Sequence, residues 1–546
     1  MDQASTTKRV SVLRALSIIV AAAFCVLIPW FWFGIPSGHD FEFHFNSWIE
    51  VLTQWEHGII YPHWSQWSHF GYGEVRFIFY PPVSWTLGAA LGAILPWKFV
   101  TFAYDWIALT LAGTTMFRLA RHWLATRDAL FAALFYAVNP YFLVVIYWRS
   151  ALAELLTAAL FPMLLLYGLQ IDEDGVRTIA PLSLITGAAW LTNIPSAIMM
   201  IYSLGVVTLG IAISRRTWKP ILYSAASGAL GIALAAVYLL PVWHQHSWVA
   251  LDQVLSLGVR PVENFLFIVT TDREHDLFNH IASLVAVWEM VILALALWMA
   301  RRRRVGKIWL PLALLGAMSA LLMFKFTLPL WDHLPELRYL QFPWRWLLVM
   351  NLVLAPTLAL ALRRWWLRII VCAIALSSVG LGWRAIQPPW WDNAADIKEM
   401  VDNQHDGIGN DGIDEYVPVT ADSDNVNQNA PLVTYEGSGS AKISVQAWQV
   451  ERRVLTAAAT APGKLVLRLF NYPSWKVNVN GQPVKTQTVE TGQMIVPVSA
   501  GENRVEIKFV EGWDRKAGGA ISLLALASVV GLAVKFRNPS GALEHS

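Results

Sequence analysis

The sequence predicts a polytopic α-helical membrane protein that carries an antiparallel β-sandwich near its C-terminus. Three observations lead there. Of its 546 residues, 56% are hydrophobic and only 14% charged, against roughly 25% charged in a soluble domain. Apolar runs recur at about 18–22 residues, the length that crosses a hydrocarbon core of roughly 30 Å. One late stretch, 386–514, abandons that pattern for short alternating segments separated by turn residues.

The first apolar run, Val12 to Phe33, follows Lys8, Arg9 and Arg14. It is too long for a signal-peptide core, and no small-x-small cleavage site follows it. It therefore reads as an uncleaved span with a cytoplasmic N-terminus. Residues 36–81 form a first external loop. Within it Phe41, Phe45, Trp48, Ile49, Leu52 and Trp55 recur at helical spacing, opposite Glu42, Asn46, Glu50 and Gln54. That pattern, stopped at Gly58, predicts a helix lying on the membrane surface.

Further apolar segments fall near 82–97, 99–117, 129–147, 154–171, 178–193 and 196–214. Others fall near 220–243, 282–300, 308–328, 344–362, 367–385 and 517–535. Basic clusters mark cytoplasmic ends: Arg118, Arg121 and Arg127; Arg215, Arg216 and Lys219; Arg301 to Arg304; Arg363, Arg364 and Arg368; Lys535 and Arg537. The expected total is 12 or 13 spans, with 82–97 short enough to be re-entrant. Arg149 and the loops 244–281 and 329–343 then lie outside, together with 386–514.

The domains expected are a membrane module over 1–385, an extracytoplasmic sandwich over 386–514, and a last span with a cytoplasmic tail over 515–546. The Asp-, Asn- and Gly-rich stretch 392–429 reads as a weakly ordered start. Strands are expected at Lys442–Val445, Lys464–Phe470, Trp475–Val479, Met494–Val498 and Arg504–Phe509. Asn480-Gly481 signals a two-residue hairpin.

The composition also excludes classes. The net charge is only +3, and the Lys and Arg sit beside apolar runs, which marks topology rather than nucleic-acid binding. The two cysteines, Cys25 and Cys372, lie inside apolar runs, so no disulfide frame or thiolate metal site is available. The 29 Trp and 15 Tyr fit interfacial belts.

Three constellations could carry chemistry. The first is Gly38-His39-Asp40 with Glu42 and His44. A helix starting near Asp40 puts Asp40 and His44 on one face, as a general base beside an imidazole; the plain alternative is an N-cap aspartate. His39, Asp40 and His44 also permit a divalent metal. The second is Trp148-Arg149-Ser150-Ala151-Leu152-Ala153-Glu154. Either Ser150 caps a helix whose first turn holds Glu154, or Arg149 binds a phosphate oxygen while Glu154 orients Arg149 or shares the acceptor hydroxyl. The third is Glu336-Leu337-Arg338-Tyr339-Leu340-Gln341-Phe342-Pro343-Trp344-Arg345 at another outer span end. A cation at this depth is normally paired or functional, here toward an anionic ligand, unless Arg345 snorkels. His63, His69, Glu74, Arg76 and Tyr80 could line the same pocket. Tyr472, Trp475 and Trp448 could stack on sugars or fill the sandwich core.

Taken together, the early acidic residue, the surface helix and the Tyr80-Pro81-Pro82 return resemble the GT-C membrane glycosyltransferases. Gly38-His39-Asp40 with His44, Pro62-x-Trp64, Gly71-Tyr72-Gly73, Tyr80-Pro81-Pro82, Arg149 with Ala153-Glu154, and Gln341 through Arg345 more closely resemble a bacterial family of "6-pyruvoyl-tetrahydropterin synthase-related" membrane proteins. That label implies no pterin chemistry here. The resemblance covers roughly residues 12–385. It implies a polyprenyl-phosphate-linked sugar donor and transfer to an envelope glycan or glycolipid at the outer face of a bacterial plasma membrane. Asp40 then inherits the role of activating the acceptor. Read from the residues themselves rather than carried over from the family, Arg149 and Arg345 fit phosphate recognition, and His39, Glu42, His44, Tyr80, Glu154 and Gln341 are the other candidates for the substrate site. Two rival readings are a non-catalytic scaffold or lipid-binding subunit of envelope assembly and a lipid-linked sugar flippase.

Overall fold

The computed structural model describes residues 2–301, 308–386 and 390–536. Arg302 to Arg304, Arg537 and the tail 537–546 lie outside the described residues. Among the described residues, seven helical stretches are long and apolar enough to cross a membrane. The number is nine if the bent pairs Lys219–Leu234 with Ala236–Trp248 and Trp309–Leu321 with Lys325–His333 each count once. By those criteria the described residues hold seven to nine such helical stretches where 12 or 13 spans are expected. Pro82–Gly92 has only 11 residues, a rise of about 16 Å, half a hydrocarbon core. The segments expected at 154–171 and 178–193 form one helical stretch, Leu152–Trp190, joined by the 3-10 turn Gly175–Thr178.

The helix expected in the first loop spans Phe41–Glu56, but it is not a surface helix with a solvated polar face. Asn46, Glu50 and Gln54 are buried along with Phe45, Trp48 and Ile49. Each polar group has found a partner from elsewhere in the chain. Glu50 accepts from the Ser65 hydroxyl (2.6 Å) and the Gln66 amide. Gln54 donates to the Trp64 carbonyl (2.9 Å). Gln404 donates to the Asn46 side-chain oxygen (3.0 Å).

The C-terminal strands form two antiparallel sheets. One is ordered Val433–Gly437, Gly463–Phe470, Gln493–Val498, Gln487–Thr488; the other Ala441–Trp448, Arg452–Ala459, Gly501–Phe509, Trp475–Val479, Gln482–Val484. Alternate residues of both sheets, among them Leu455, Leu465, Leu467, Val496, Val505 and Ile507, share one buried core. The hairpin at Asn480-Gly481 forms, with φ of 53° and 81°, both positive as a type I′ turn requires.

The sheet domain is fused to the first loop. Trp64 packs against Trp475 (5.3 Å between ring centroids) and Tyr472 (6.2 Å). Phe470 donates its amide to the Tyr72 carbonyl (3.0 Å). Tyr472 and Trp475 are therefore core residues. The stretch 392–429 is more ordered than its composition suggests. It contains the helix Ala394–His405, started by a capping box of Asn393 and Asp396, whose Gln404 is the partner of Asn46. Just before it, Trp391–Asp392 pairs with Ile35–Pro36 as a two-stranded antiparallel ladder.

Candidate active site

Asp40 is positioned by backbone rather than by its own side chain. Its amide donates to the Arg149 carbonyl (2.9 Å). Gly38 donates to the Ser150 hydroxyl (3.0 Å), which in turn donates to the Pro36 carbonyl (2.9 Å). Ser150 thus ties two loops together and does not cap the following helix, Leu152–Ala158. Only glycine fits at 38, because a Cβ there would stand 2.4 Å from the Trp148 carbonyl oxygen. The facing turn, Val145–Arg149, is a π-helix ending at Ser150 in the left-handed region (φ 51°); such turns recur at functional sites. Asp40 precedes the Phe41–Glu56 helix, yet its carboxylate makes no capping hydrogen bond. Its side chain is 40% exposed and lies 3.7 Å from Arg149 Nη2.

Behind that pair is a buried ionic cluster. Arg149 Nη1 donates to Glu154 Oε2 (2.9 Å), and Arg345 Nε lies 3.2 Å from the same oxygen. The other Glu154 oxygen accepts from the Tyr141 hydroxyl. All three charged residues are buried, so Arg345 does not snorkel. Arg345 donates to the Leu340 carbonyl (2.7 Å) and reaches Gln341 Oε1 (3.4 Å), while Gln341 holds the Val254 carbonyl (2.9 Å). The guanidinium of Arg149 lies over Phe342 and Trp344 (5.3 and 4.9 Å), and that of Arg345 over Phe342 (4.9 Å). Two guanidiniums share one buried carboxylate, and the second acid of the cluster is the partly exposed Asp40, 3.7 Å from Arg149. Flat rings and Glu154 fix their forks, an arrangement that suits an anionic oxygen cluster.

The other expected residues divide. Tyr80 stands beside His44 (5.8 Å) and Phe43 (4.7 Å), within the fields of Asp40 and Arg345. His44 is buried behind Asp40, and burial lowers its pKa to about 4, so the ring is neutral and suited to packing or hydrogen bonding. His39 is exposed, its ring edge against Trp390 (5.5 Å). Glu42 is exposed, and its charge is felt at Asp392. Among the described residues no three His, Cys, Asp or Glu side chains come together as a metal set, so His39, Asp40 and His44 do not form one.

His69, Glu74 and Arg76 do not line the site. They form a buried network behind the first-loop helix: Glu74 accepts from His69 (2.9 Å) and Arg76, and Arg76 donates to Ser47 (3.0 Å) and Ser68 (2.9 Å). Burial pushes the Glu74 carboxyl up, but the Arg76 charge and the His69 contact outweigh it and hold it low. His63 is held between Glu451 (2.8 Å) and Glu511 (3.0 Å) of the sheet domain.

Sequence reasoning missed Glu415. It arrives from the stretch before the sandwich, half-buried, and lies within the fields of Asp40 and Glu74. Aromatic neighbours were the available signal: Tyr416 follows it, and Phe43 lies one turn beyond Asp40.

Fold and site together define a polytopic membrane protein with a buried paired-arginine centre and a β-sandwich docked on its first loop. Residues 77–385 match the 6-pyruvoyl-tetrahydropterin synthase related domain, described as a membrane protein; that is more than half of the chain, and the chain belongs to this family. No curated protein matches it. Among solved structures it is similar to the arabinofuranosyltransferase AftD from Mycobacteria, with 18% identity and a TM-score of 0.44 over 69% of this chain and 27% of that one. It is also similar to the oligosaccharyltransferase of Archaeoglobus fulgidus in the apo form, with 14% identity and a TM-score of 0.41 over 70% of this chain and 56% of that one. The chain thus spans about a quarter of the first and about half of the second.

Proposed function

We propose that the chain is a membrane glycosyltransferase. It moves a sugar from a polyprenyl-phosphate-linked donor to an envelope glycan or glycolipid on the outer face of a bacterial plasma membrane. The observation that carries this is the meeting of Asp40, Arg149, Glu154 and Arg345, drawn from three distant parts of the chain. In this reading the acceptor oxygen attacks the anomeric carbon while Asp40 takes its proton. The bond from that carbon to the phosphate oxygen breaks, and the lipid phosphate leaves with the electron pair. Arg149 and Arg345 stabilise the charge that grows on it, and the configuration inverts. The bilayer holds the donor in one orientation and so lowers the cost of alignment.

The test uses the full chain in lipid nanodiscs, with a polyprenyl phosphate as probe and the neutral polyprenol as control, read by native mass spectrometry. The phosphate should bind well above the alcohol, and Arg345→Ala should weaken it about tenfold or more, as loss of a charge-assisted contact implies. Equal binding of phosphate and alcohol would overturn the proposal. Transfer itself is then sought with a panel of polyprenyl-phosphate sugars.

A further inference from the structure

A relay of polar contacts runs from the sandwich to the helix Phe41–Glu56. It starts at Arg468, on the strand Gly463–Phe470. Arg468 holds the Phe70 carbonyl with Nε (2.7 Å) and also with Nη2. His69, the residue before, contacts Glu74 Oε2 through Nε2 (2.9 Å), and the same oxygen accepts from the Ile413 amide (2.8 Å). The other Glu74 oxygen accepts from Arg76. Arg76 Nη1 then donates to the Ser47 hydroxyl (3.0 Å), which donates to the Phe43 carbonyl (2.6 Å). The adjacent His44 amide donates to the Asp40 carbonyl (3.2 Å). The relay therefore ends on the helical turn that Asp40 opens.

Its links are suited to passing on a displacement. Ser47, His69, Glu74 and Arg76 are all buried. A buried charge that loses its partner finds no water to replace it, so a shift in one member is felt by the next. Arg76 holds the helix a second time: Nη2 donates to Ser68 (2.9 Å), Ser68 meets Ser65 (2.6 Å), and Ser65 donates to Glu50 (2.6 Å). The joint beneath Arg468 is under backbone strain. His69 (φ 50°, ψ 47°) and Phe70 (φ 53°, ψ 39°) are consecutive left-handed residues, a conformation unfavourable for side chains with a Cβ. It persists where neighbours over-determine it. Here those neighbours are Arg468 on the Phe70 carbonyl and Glu74 on the His69 ring.

We propose that Arg468 is a positioning residue. From the sandwich, it sets the first turn of the Phe41–Glu56 helix, acting through the His69-Phe70 turn, Glu74 and Arg76. The sandwich is then part of the scaffold that places Asp40, not an appended module. The coupling stands on these contacts alone; its consequence for transfer rests on Asp40 as the base.

The experiment is amide hydrogen exchange of the full chain in nanodiscs, read by mass spectrometry. Arg468→Met should raise exchange in peptides covering 41–47 about tenfold, as loss of a charge-assisted hydrogen bond implies. The strand Gly501–Phe509, in the other sheet of the sandwich, should stay protected. Arg468→Lys keeps the charge but not the paired bond; it should act in the same direction more weakly, and it serves if Arg468→Met does not fold. Glu74→Gln, in the middle of the relay, should also raise exchange in 41–47. Arg452→Gln removes an exposed pair with Glu506 in the same domain (3.1 Å) and should leave 41–47 as in the wild type. The proposal is overturned if 41–47 keeps wild-type protection when Arg468 or Glu74 is changed, if Gly501–Phe509 loosens as much as 41–47, or if Arg452→Gln has the same effect. Polyprenyl phosphate binding is measured in the same preparation. Its absence from the wild type, with the exchange results as expected, would sink the transfer reading and leave the coupling standing.

Discussion

Oε2 of Glu154 stands 2.9 Å from Nη1 of Arg149, and 3.2 Å from Nε of Arg345. One buried carboxylate therefore holds two guanidiniums that would otherwise repel. Glu154→Gln should cost about 3–5 kcal/mol, the usual result of stranding buried charge, seen as a lower unfolding temperature in detergent. Added polyprenyl phosphate should recover part of that loss, because an anion takes over the missing countercharge. An unshifted unfolding temperature would show that the carboxylate is not the counterion.

Asp40→Asn should separate folding from transfer. The carboxylate is partly exposed and caps nothing, so stability should change by no more than about 0.5 kcal/mol. Transfer should fall by roughly 100-fold or more, as loss of a general base implies. Measured transfer near wild type would remove Asp40 from the chemistry.

Gly38→Ala tests the close approach of the two loops. The added methyl meets the Trp148 carbonyl at 2.4 Å, so the 36–40 loop must lift from the π-turn. The cost should be about 1–3 kcal/mol. Transfer should drop with it, since Asp40 moves away from Arg149. Gly58→Ala serves as the comparison, with nothing within 4 Å of its Cβ but a strained φ of +81°; it should lower stability without lowering transfer per folded molecule.

His63 should give the docking of the sheet domain a pH dependence. Burial works against its charge, yet hydrogen bonds to Glu451 and Glu511 outweigh burial and raise its pKa above the ordinary 6.5. Arg515, packed 3.5 Å over Tyr61, opposes them. The folded protein thus binds this proton more tightly than the unfolded chain does. The stabilisation is fully present below about pH 6.5 and is lost as pH rises through the raised value. Unfolding temperatures should fall over that range for the wild type, and His63→Phe should flatten the slope. The same slope in both proteins would assign the dependence to another group.

Much of this was legible in the sequence, and the failures have physical causes. Charges at the ends of apolar runs are costly enough to single out Asp40, Arg149, Glu154 and Arg345. Alternation and Asn480-Gly481 gave away the sandwich. The helix Phe41–Glu56 was readable, but its burial was not, because Gln404, which covers Asn46, lies far downstream. The helix Ala394–His405 carried a readable Asn393-to-Asp396 box, masked by the surrounding Asp and Asn. Glu415 was hidden in the same stretch, where one more acid stands out only by the Tyr416 that follows it. Arg452–Ala459 escaped because only Val454 and Thr456 favour a strand there, and it ends in three Ala, which strands disfavour.

The ladder between Ile35–Pro36 and Trp391–Asp392 has a consequence for biogenesis. The ribosome makes the loop that bears Asp40 before most of the membrane helices, yet its second strand and the Gln404 that covers Asn46 emerge only after them. During synthesis that loop stays unpaired until residues from far downstream arrive. A product that stops before Trp391 would carry the Asp40 loop without its partner strand.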